Sequence, residues 1–181
     1  MVNLQKLFLL FISITILFGC GQSKEKSISK IHDLEKQLYS SNVGPVDTSK
    51  ASEMINLYTD FEKKYPNDTA AAEYLYRAAN LAMNVGKSLK SLEYINIIIS
   101  KYPNYKKITS CYFLKGFIYD YHLKDINNAR KSYQEFIAKF PKDDLANDAQ
   151  ISLNNLGKSD EQIIKEFEAK LKQDSLANHK K

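Results

Sequence analysis

The stretch FEKKYPND at residues 61–68 returns as IISKYPNY at residues 98–105 and as FIAKFPKD at residues 136–143. Each copy ends an apolar segment on a lysine, an aromatic residue and a proline, and the three prolines lie 37 and 38 residues apart. Proline cannot continue a helix, and it drives the residue before it out of the α region. A unit that repeats at this period and stops a helix at the same point predicts stacked helical hairpins.

Apolar residues recur at helical spacing within each repeat. In the first repeat Met54, Tyr58, Phe61 and Tyr65 follow one another at spacings of four, three and four. This spacing places them on one face of a helix. The pattern predicts an all-α fold of eight helices in four antiparallel pairs. Helices outside the three quoted stretches are expected at 28–40, 70–85, 105–122, 143–156 and 159–173.

The composition is that of a folded domain. The 181 residues are 44% apolar, which is enough to build a core and argues against a wholly disordered chain. The net charge of +5 comes from lysines that alternate with acidic residues along the chain. Because they form no basic block, we expect no nucleic-acid partner.

The N-terminal residues read as a targeting segment. Residues 1–20 are MVNLQKLFLLFISITILFGC, in which one lysine precedes an apolar run that begins at Leu7. The run is shorter than the roughly 20 residues of a transmembrane helix and has the length of a signal-peptide core. It ends on LFGC at residues 17–20, which resembles the lipobox of bacterial lipoproteins. The resemblance implies cleavage before Cys20 and a covalent lipid on its sulfur, and the alternative is an ordinary signal peptide followed by an incidental cysteine.

The lipoprotein resemblance also implies a location. Gly21, and not an aspartate, follows Cys20, which in Gram-negative lipoproteins favours the outer membrane. The mixed charges of residues 23–26 favour its periplasmic side. The lipid is the only non-protein group expected, with no other cofactor. The chain then divides into a signal peptide (1–19), a lipid-anchored tether (20–27), a helical repeat domain (28–175) and a disordered tail (176–181).

The helical repeats resemble the tetratricopeptide repeat (TPR) family. The third repeat has two small residues, an aromatic residue and a final proline where that family prefers them: Gly116, Ala129, Tyr133 and Pro141. Ser91 takes the place of Ala129 in the second repeat. The Lys-aromatic-Pro ending is similar to that of envelope TPR proteins, among them an outer-membrane assembly lipoprotein and a Tol-Pal-associated division coordinator. The resemblance implies a right-handed α-solenoid in which Gly116 and Ala129 face each other.

The TPR register also implies a partner-binding groove, which the first helix of each pair lines. In the third repeat this helix carries Phe113, Phe117 and Tyr121 in a row at spacing four. The matching positions of the second repeat hold smaller or more flexible side chains. The alternative is that the aromatic row packs against the chain's own terminal helices. The expected groove residues are Leu75, Ala79, Met83, Phe113, Phe117, Asp120 and Tyr121.

The sequence contains no pattern of catalytic or metal-binding residues. Its three histidines are far apart, and Cys-x-x-Cys and His-x-x-x-His spacings are absent, so we expect no metal site, no catalytic residues and no small-molecule substrate. If Cys20 carries a lipid, Cys111 has no disulfide partner and is expected to be a buried apolar residue. We therefore expect a lipid-anchored periplasmic scaffold, not an enzyme, that binds another envelope protein or peptide in outer-membrane assembly or maintenance. The alternative is a small thiol-dependent enzyme or redox protein of the envelope that uses Cys111.

Overall fold

The computed structural model of the protein describes residues 23–38 and 47–178. These residues form eight α-helices and no β-strand, and neighbouring helices pack against each other. This confirms the all-α fold of TPR-like hairpins. Helix α1 covers residues 23–38, and a π-helical turn, Ile118–His122, continues α5. The other helices are α2 (Thr48–Lys64), α3 (Ala71–Asn84), α4 (Ser88–Lys101), α5 (Ile108–Phe117), α6 (Ile126–Lys139), α7 (Ala146–Asn155) and α8 (Asp160–Asn178).

The three Lys-aromatic-Pro stretches end three helices in the same way. Their aromatic residues Tyr65, Tyr102 and Phe140 have φ values of −132°, −126° and −131° and ψ values of 56°, 57° and 55°. The N–H group of each donates to the carbonyl oxygen four residues earlier, at 2.8, 2.9 and 2.8 Å. Because the following proline disfavours the α conformation at these residues, each helix stops there. The sequence repeat is therefore also a structural repeat.

The chain separates into two compact units, which we call the N-terminal unit, ending at Tyr105, and the C-terminal unit, beginning at Lys106. In the N-terminal unit α2 packs against α3, and α3 packs against α4. The Tyr58 ring of α2 stacks on the Tyr74 ring of α3 with 5.5 Å between ring centroids. Helix α1 completes this core with three buried side chains, Ile31, Leu34 and Leu38.

Helix α1 already covers part of the stretch 20–27 that the sequence analysis assigns to a tether. Polar contacts hold this first turn against the loop that follows α2. Lys24 Nζ lies 2.9 Å from Asp68 Oδ2, and the Tyr65 hydroxyl group donates to Ser23 Oγ at 3.0 Å. Apolar periodicity does not reveal contacts of this kind, so the expected helix begins later than the observed one.

The core of the C-terminal unit lies between α5, α6 and α7. Gly116 of α5 packs directly against α6, where a Cβ atom added to Gly116 would lie 2.7 Å from two ring carbons of Tyr133. The close approach expected at Gly116 is therefore made with Tyr133, one turn beyond Ala129. Ala129 is itself fully buried in this core together with Phe136.

Helix α8 ends the described chain and has no buried side chain among those described. Its first turn is capped from both sides: the Ser159 N–H donates to Gln162 Oε1 at 2.9 Å, and the Gln162 N–H donates to Ser159 Oγ at 3.3 Å. The helix continues to Asn178, so it enters the stretch 176–181 that the sequence analysis assigns to a disordered tail. Across the described residues, no helix combines the length and the apolar character needed to cross a membrane.

Candidate functional site

The aromatic row of α5 divides between the core and the surface of the C-terminal unit. The Phe113 ring faces α6, with its centroid 5.9 Å from the ring centroids of both Tyr133 and Phe136. Phe117 and Tyr121 stack on each other at 4.7 Å, and Tyr121 is 58% exposed. Phe113 therefore packs within its own hairpin, whereas the Phe117–Tyr121 stack reaches the surface.

A π-helical turn carries Asp120 and Tyr121 at the end of α5. The N–H of Leu123 donates to the carbonyl oxygen of Ile118 at 3.0 Å, five residues back along the chain. Lys124 follows with a φ of 53°, a conformation that is costly for residues other than glycine. π-Helical turns and strained residues are frequent at functional sites. Their coincidence here singles out this end of α5 as a candidate site.

A cleft of about 280 Å³ opens beside this turn. Asp120, Tyr121 and Lys124 lie along one side of it. The lining combines apolar and charged groups, which suits a peptide segment that carries both. The remaining lining residues come from the start of α6, from α7, and from the turn into α8 and its first residues: Ile126, Ile151, Ser152, Asn155, Gly157, Lys158, Asp160 and Ile163.

The Asp120 carboxylate is half-buried in the wall of the cleft. Burial raises its pKa, against the opposing effects of the Lys124 ammonium group and the Tyr133 hydroxyl group. The Tyr133 hydroxyl donates to Asp120 Oδ2 at 3.4 Å, which is long for a hydrogen bond to a carboxylate. The carboxylate is thus partly removed from water and only weakly compensated by the protein.

The two lysines of the cleft already have partners. Lys124 Nζ lies over the Tyr121 ring, 5.5 Å from the ring centroid, which is within the range of a cation–π contact. Lys158 Nζ lies 2.6 Å from Glu166 Oε2 of α8. Glu166 therefore neutralises Lys158. Of the two lysines that line the cleft, Lys124 is left to balance Asp120 and Asp160.

An exposed apolar surface continues from the cleft along α8. We call it the α7–α8 strip and define it as Ile151, Ile164, Phe167 and Leu171. These side chains are 49%, 57%, 61% and 54% exposed. A shallow depression of about 410 Å³ between α7 and α8 borders both Ile151 and Phe167. Contiguous exposed apolar side chains are typical of interaction surfaces.

The groove residues expected in the N-terminal unit lie on α3. Leu75 and Ala79 are buried, and Met83 is half-buried. Within the C-terminal unit, the accessible members of the expected set are Phe117, Asp120 and Tyr121. A groove role for Leu75, Ala79 and Met83 stays a prediction.

The structure describes one of the two cysteines, Cys111, and not the other, Cys20. Cys20, the expected site of lipid attachment, lies outside the described residues. Cys111 is a free and fully buried cysteine, and burial raises the pKa of its thiol to about 12. A thiol in this state is protonated at neutral pH and unreactive, which speaks against the thiol-dependent alternative. No group of acidic, histidine or cysteine side chains that could hold a metal ion occurs in residues 23–38 and 47–178.

The α7–α8 side of the site is absent from the sequence-based expectation. Its signal is nevertheless visible in the sequence, since Ile164, Phe167 and Leu171 follow one another at spacings of three and four. That spacing marks an apolar helix face, and a fourth hairpin of the kind that the sequence predicts would pack such a face against its partner helix. The structure leaves this face open to solvent.

One comparison with known proteins bears on this unit. Residues 110–143 match a family model described as a tetratricopeptide repeat. The match takes in most of α5, the π-helical turn, α6 and the proline that follows it. The chain therefore contains a TPR repeat, a module that supports a protein–protein interaction scaffold. No curated protein matches the chain at a significant level.

Proposed function

We propose that the chain is a lipid-anchored TPR scaffold on the periplasmic side of the bacterial outer membrane. There it would bind another envelope protein, or a peptide segment of one, in the assembly or maintenance of that membrane. The single observation that carries the binding function is the open surface of the C-terminal unit, formed by the cleft and the α7–α8 strip. The lipid anchor and the location rest on the sequence of residues 17–20 alone.

The surface suits a protein partner for two physical reasons. It joins exposed aromatic and aliphatic side chains, which provide most of the affinity of protein interfaces, to a charged cleft that can select one partner over another. The cleft side of the surface also stands on α5 and α7, which pack against α6, so little conformational order has to be acquired there on binding.

Crosslinking in the native envelope tests this function. Phe167→Ala removes a side chain that is 61% exposed, so the melting temperature should stay unchanged while recovery of the crosslinked partner falls. An aromatic residue at the centre of an interface carries about 2 kcal/mol or more, which is roughly thirtyfold in affinity.

Leu89→Ala is the matched control, because Leu89 is 71% exposed on α4 of the N-terminal unit. This variant should recover the partner at the wild-type level. Wild-type recovery with both Phe167→Ala and Tyr121→Ala would reject the C-terminal unit as the binding surface.

The anchor has its own test. Two acyl chains or more are needed for durable membrane attachment, and Cys20 is the residue that would carry them. Cys20→Ala should therefore release the protein from the membrane fraction and abolish incorporation of labelled palmitate. Labelled palmitate on the Cys20→Ala variant would contradict lipid attachment at this residue.

A further inference from the structure

We infer that Asp120 and Tyr121 together bind a lysine or arginine side chain of the partner, while apolar residues of the same segment lie along the α7–α8 strip. The inference rests on the proposed function, which supplies the partner, and it adds the chemistry by which the partner is recognised. The occupant is thus a short amphipathic segment with a basic residue at one end.

The Asp120 carboxylate has room for a further donor. It receives one hydrogen bond, from Tyr133 at 3.4 Å to Oδ2, and no described residue donates to its other oxygen. A half-buried carboxylate in this condition gains from a cation or a strong donor, because it has lost part of its hydration without full replacement. The rise in its pKa on burial is consistent with that deficit.

Tyr121 already binds a cation within the chain. Lys124 Nζ lies 5.5 Å from the centroid of the Tyr121 ring, and Phe117 stacks on the same ring at 4.7 Å. The stacking restrains the orientation of the ring, and the lysine shows that an ammonium group is accommodated beside Asp120. The backbone of Lys124 has a φ of 53°, so the contact between Lys124 and Tyr121 depends on a strained backbone.

The charges around the cleft are of both signs. Asp120 and Asp160 line it together with Lys124 and Lys158, and Lys158 is paired with Glu166. Along the outer edge of the strip, Glu161 and Glu168 are exposed residues of α8. Lys165, Lys170 and Lys172 are exposed on the same helix, and Lys170 lines the depression between α7 and α8, so the formal charges of this surface balance. The preference for a basic residue therefore rests on the Asp120 carboxylate, with its single long hydrogen bond, and on the exposed Tyr121 ring.

Three labelled peptides test the inference by fluorescence anisotropy on the full chain. They share one amphipathic sequence with a leucine face. They differ only in their two terminal residues, which are both Lys, both Gln or both Glu. All measurements use the same detergent micelles, so partition of a peptide into detergent is common to every variant. We expect the Lys peptide to bind about tenfold more tightly than the Gln peptide and the Glu peptide to bind least.

Two pairs of variants assign that preference to the site. Asp120→Asn should remove the advantage of the Lys peptide over the Gln peptide, whereas Asp148→Asn, which changes an exposed residue of α7, should keep it. Lys124→Gly suits a positive φ and frees both Asp120 and the Tyr121 ring. It should tighten binding of the Lys peptide severalfold, whereas Lys142→Ala, which removes an exposed charge elsewhere in the same unit, should not.

The outcomes separate this inference from the proposed function. Because the net charge of +5 attracts acidic peptides, a preference for Lys cannot come from overall charge. If all three peptides bind equally and Phe167→Ala weakens that binding, the basic specificity is wrong and the scaffold function stands. Tightest binding of the Glu peptide, or no binding of any of the three, would also overturn the basic specificity, and the envelope crosslinking would then decide the scaffold function separately.

Discussion

The two compact units differ most at their outermost helices. In the N-terminal unit, α1 buries Ile31, Leu34 and Leu38 in the core. In the C-terminal unit, α8 leaves Ile164 and Phe167 more than half exposed. The same hairpin architecture therefore ends in a covered helix in one unit and in an uncovered one in the other.

Polar side chains follow the same division. In the N-terminal unit, Arg77 is bound by two carboxylates, with Glu35 Oε1 at 2.6 Å and Glu73 Oε1 at 3.3 Å. In the C-terminal unit, Asp120 has the single long hydrogen bond from Tyr133. The carboxylates around Arg77 are already engaged within the chain, whereas the half-buried Asp120 carboxylate can accept a hydrogen bond from a partner. This is the physical reason for assigning recognition to the C-terminal unit.

The largest expected effect comes from truncating the same residue type in the two terminal helices. Ile31 is 1% exposed, and Ile31→Ala leaves a cavity in the core that should cost about 2–5 kcal/mol. Ile164 is 57% exposed, so Ile164→Ala should change the free energy of unfolding by about 0.5 kcal/mol or less. Urea unfolding of both variants measures the two values. Similar losses would mean that α8 is packed as firmly as α1, and the contrast between the units would disappear.

The second effect concerns the one helix contact that the sequence predicts by position. Gly116→Leu forces a side chain into the ring of Tyr133, where even a Cβ atom lies 2.7 Å from two carbons. Overpacking of this kind costs about 1–3 kcal/mol and sometimes more, so the melting temperature should fall clearly. Lys131→Leu changes an exposed residue of α6 in the same hairpin and should not lower it. Equal melting temperatures for wild type and Gly116→Leu would reject this packing.

What the sequence predicts well is set by covalent and steric rules. Proline ends a helix in any context, so the Lys-aromatic-Pro stretches give the ends of α2, α4 and α6. The absence of a side chain at Gly116 likewise marks a close helix contact before any partner is known. The ring that it meets, Tyr133, could not be identified from the sequence, because it depends on how the two helices are rotated about their axes.

What the sequence does not predict depends on competition between contacts. The π-helical turn at Ile118–His122 adds one residue to a helical turn, and no residue type in it requires that. The exposure of Phe167 cannot be predicted from the sequence either, because the helical spacing of apolar residues is the same on a buried face as on an exposed one. Asp120 and Tyr121 are found from the repeat register, whereas their neighbours across the cleft, Ile151 and Lys158, depend on where α7 and α8 lie.

A third prediction links the C-terminal unit to pH through Cys111. The folded thiol has a pKa of about 12, whereas an unfolded thiol ionises near pH 8.5. Between these values the unfolded chain binds fewer protons than the folded chain, so stability falls as pH rises, by about 1.4 kcal/mol per pH unit. Below about pH 8 both states hold the proton, and the contribution is complete.

Cys111→Ala isolates this effect, since all other titrating groups remain. Relative to Cys111→Ala, the wild type should lose about 1–2 kcal/mol in its free energy of unfolding between about pH 8 and about pH 10. Urea unfolding at the two pH values gives that difference. A difference that does not change with pH would mean that Cys111 reaches water in the folded state.

The smallest effect compares one position in both units. Ser91 of α4 and Ala129 of α6 lie 38 residues apart, at the same place in successive repeats, and both are fully buried. Ser91 Oγ has no hydrogen-bond partner among the described residues, so Ser91→Ala should raise the free energy of unfolding by about 1 kcal/mol by removing an uncompensated hydroxyl group. Ala129→Ser adds such a group to the C-terminal unit and should lower it by about 1–2 kcal/mol. Thermal unfolding of the two variants should therefore give shifts of opposite sign. A loss of stability in Ser91→Ala would mean that the hydroxyl group is bonded in solution, and the two units would then differ at this position in hydrogen bonding as well as in sequence.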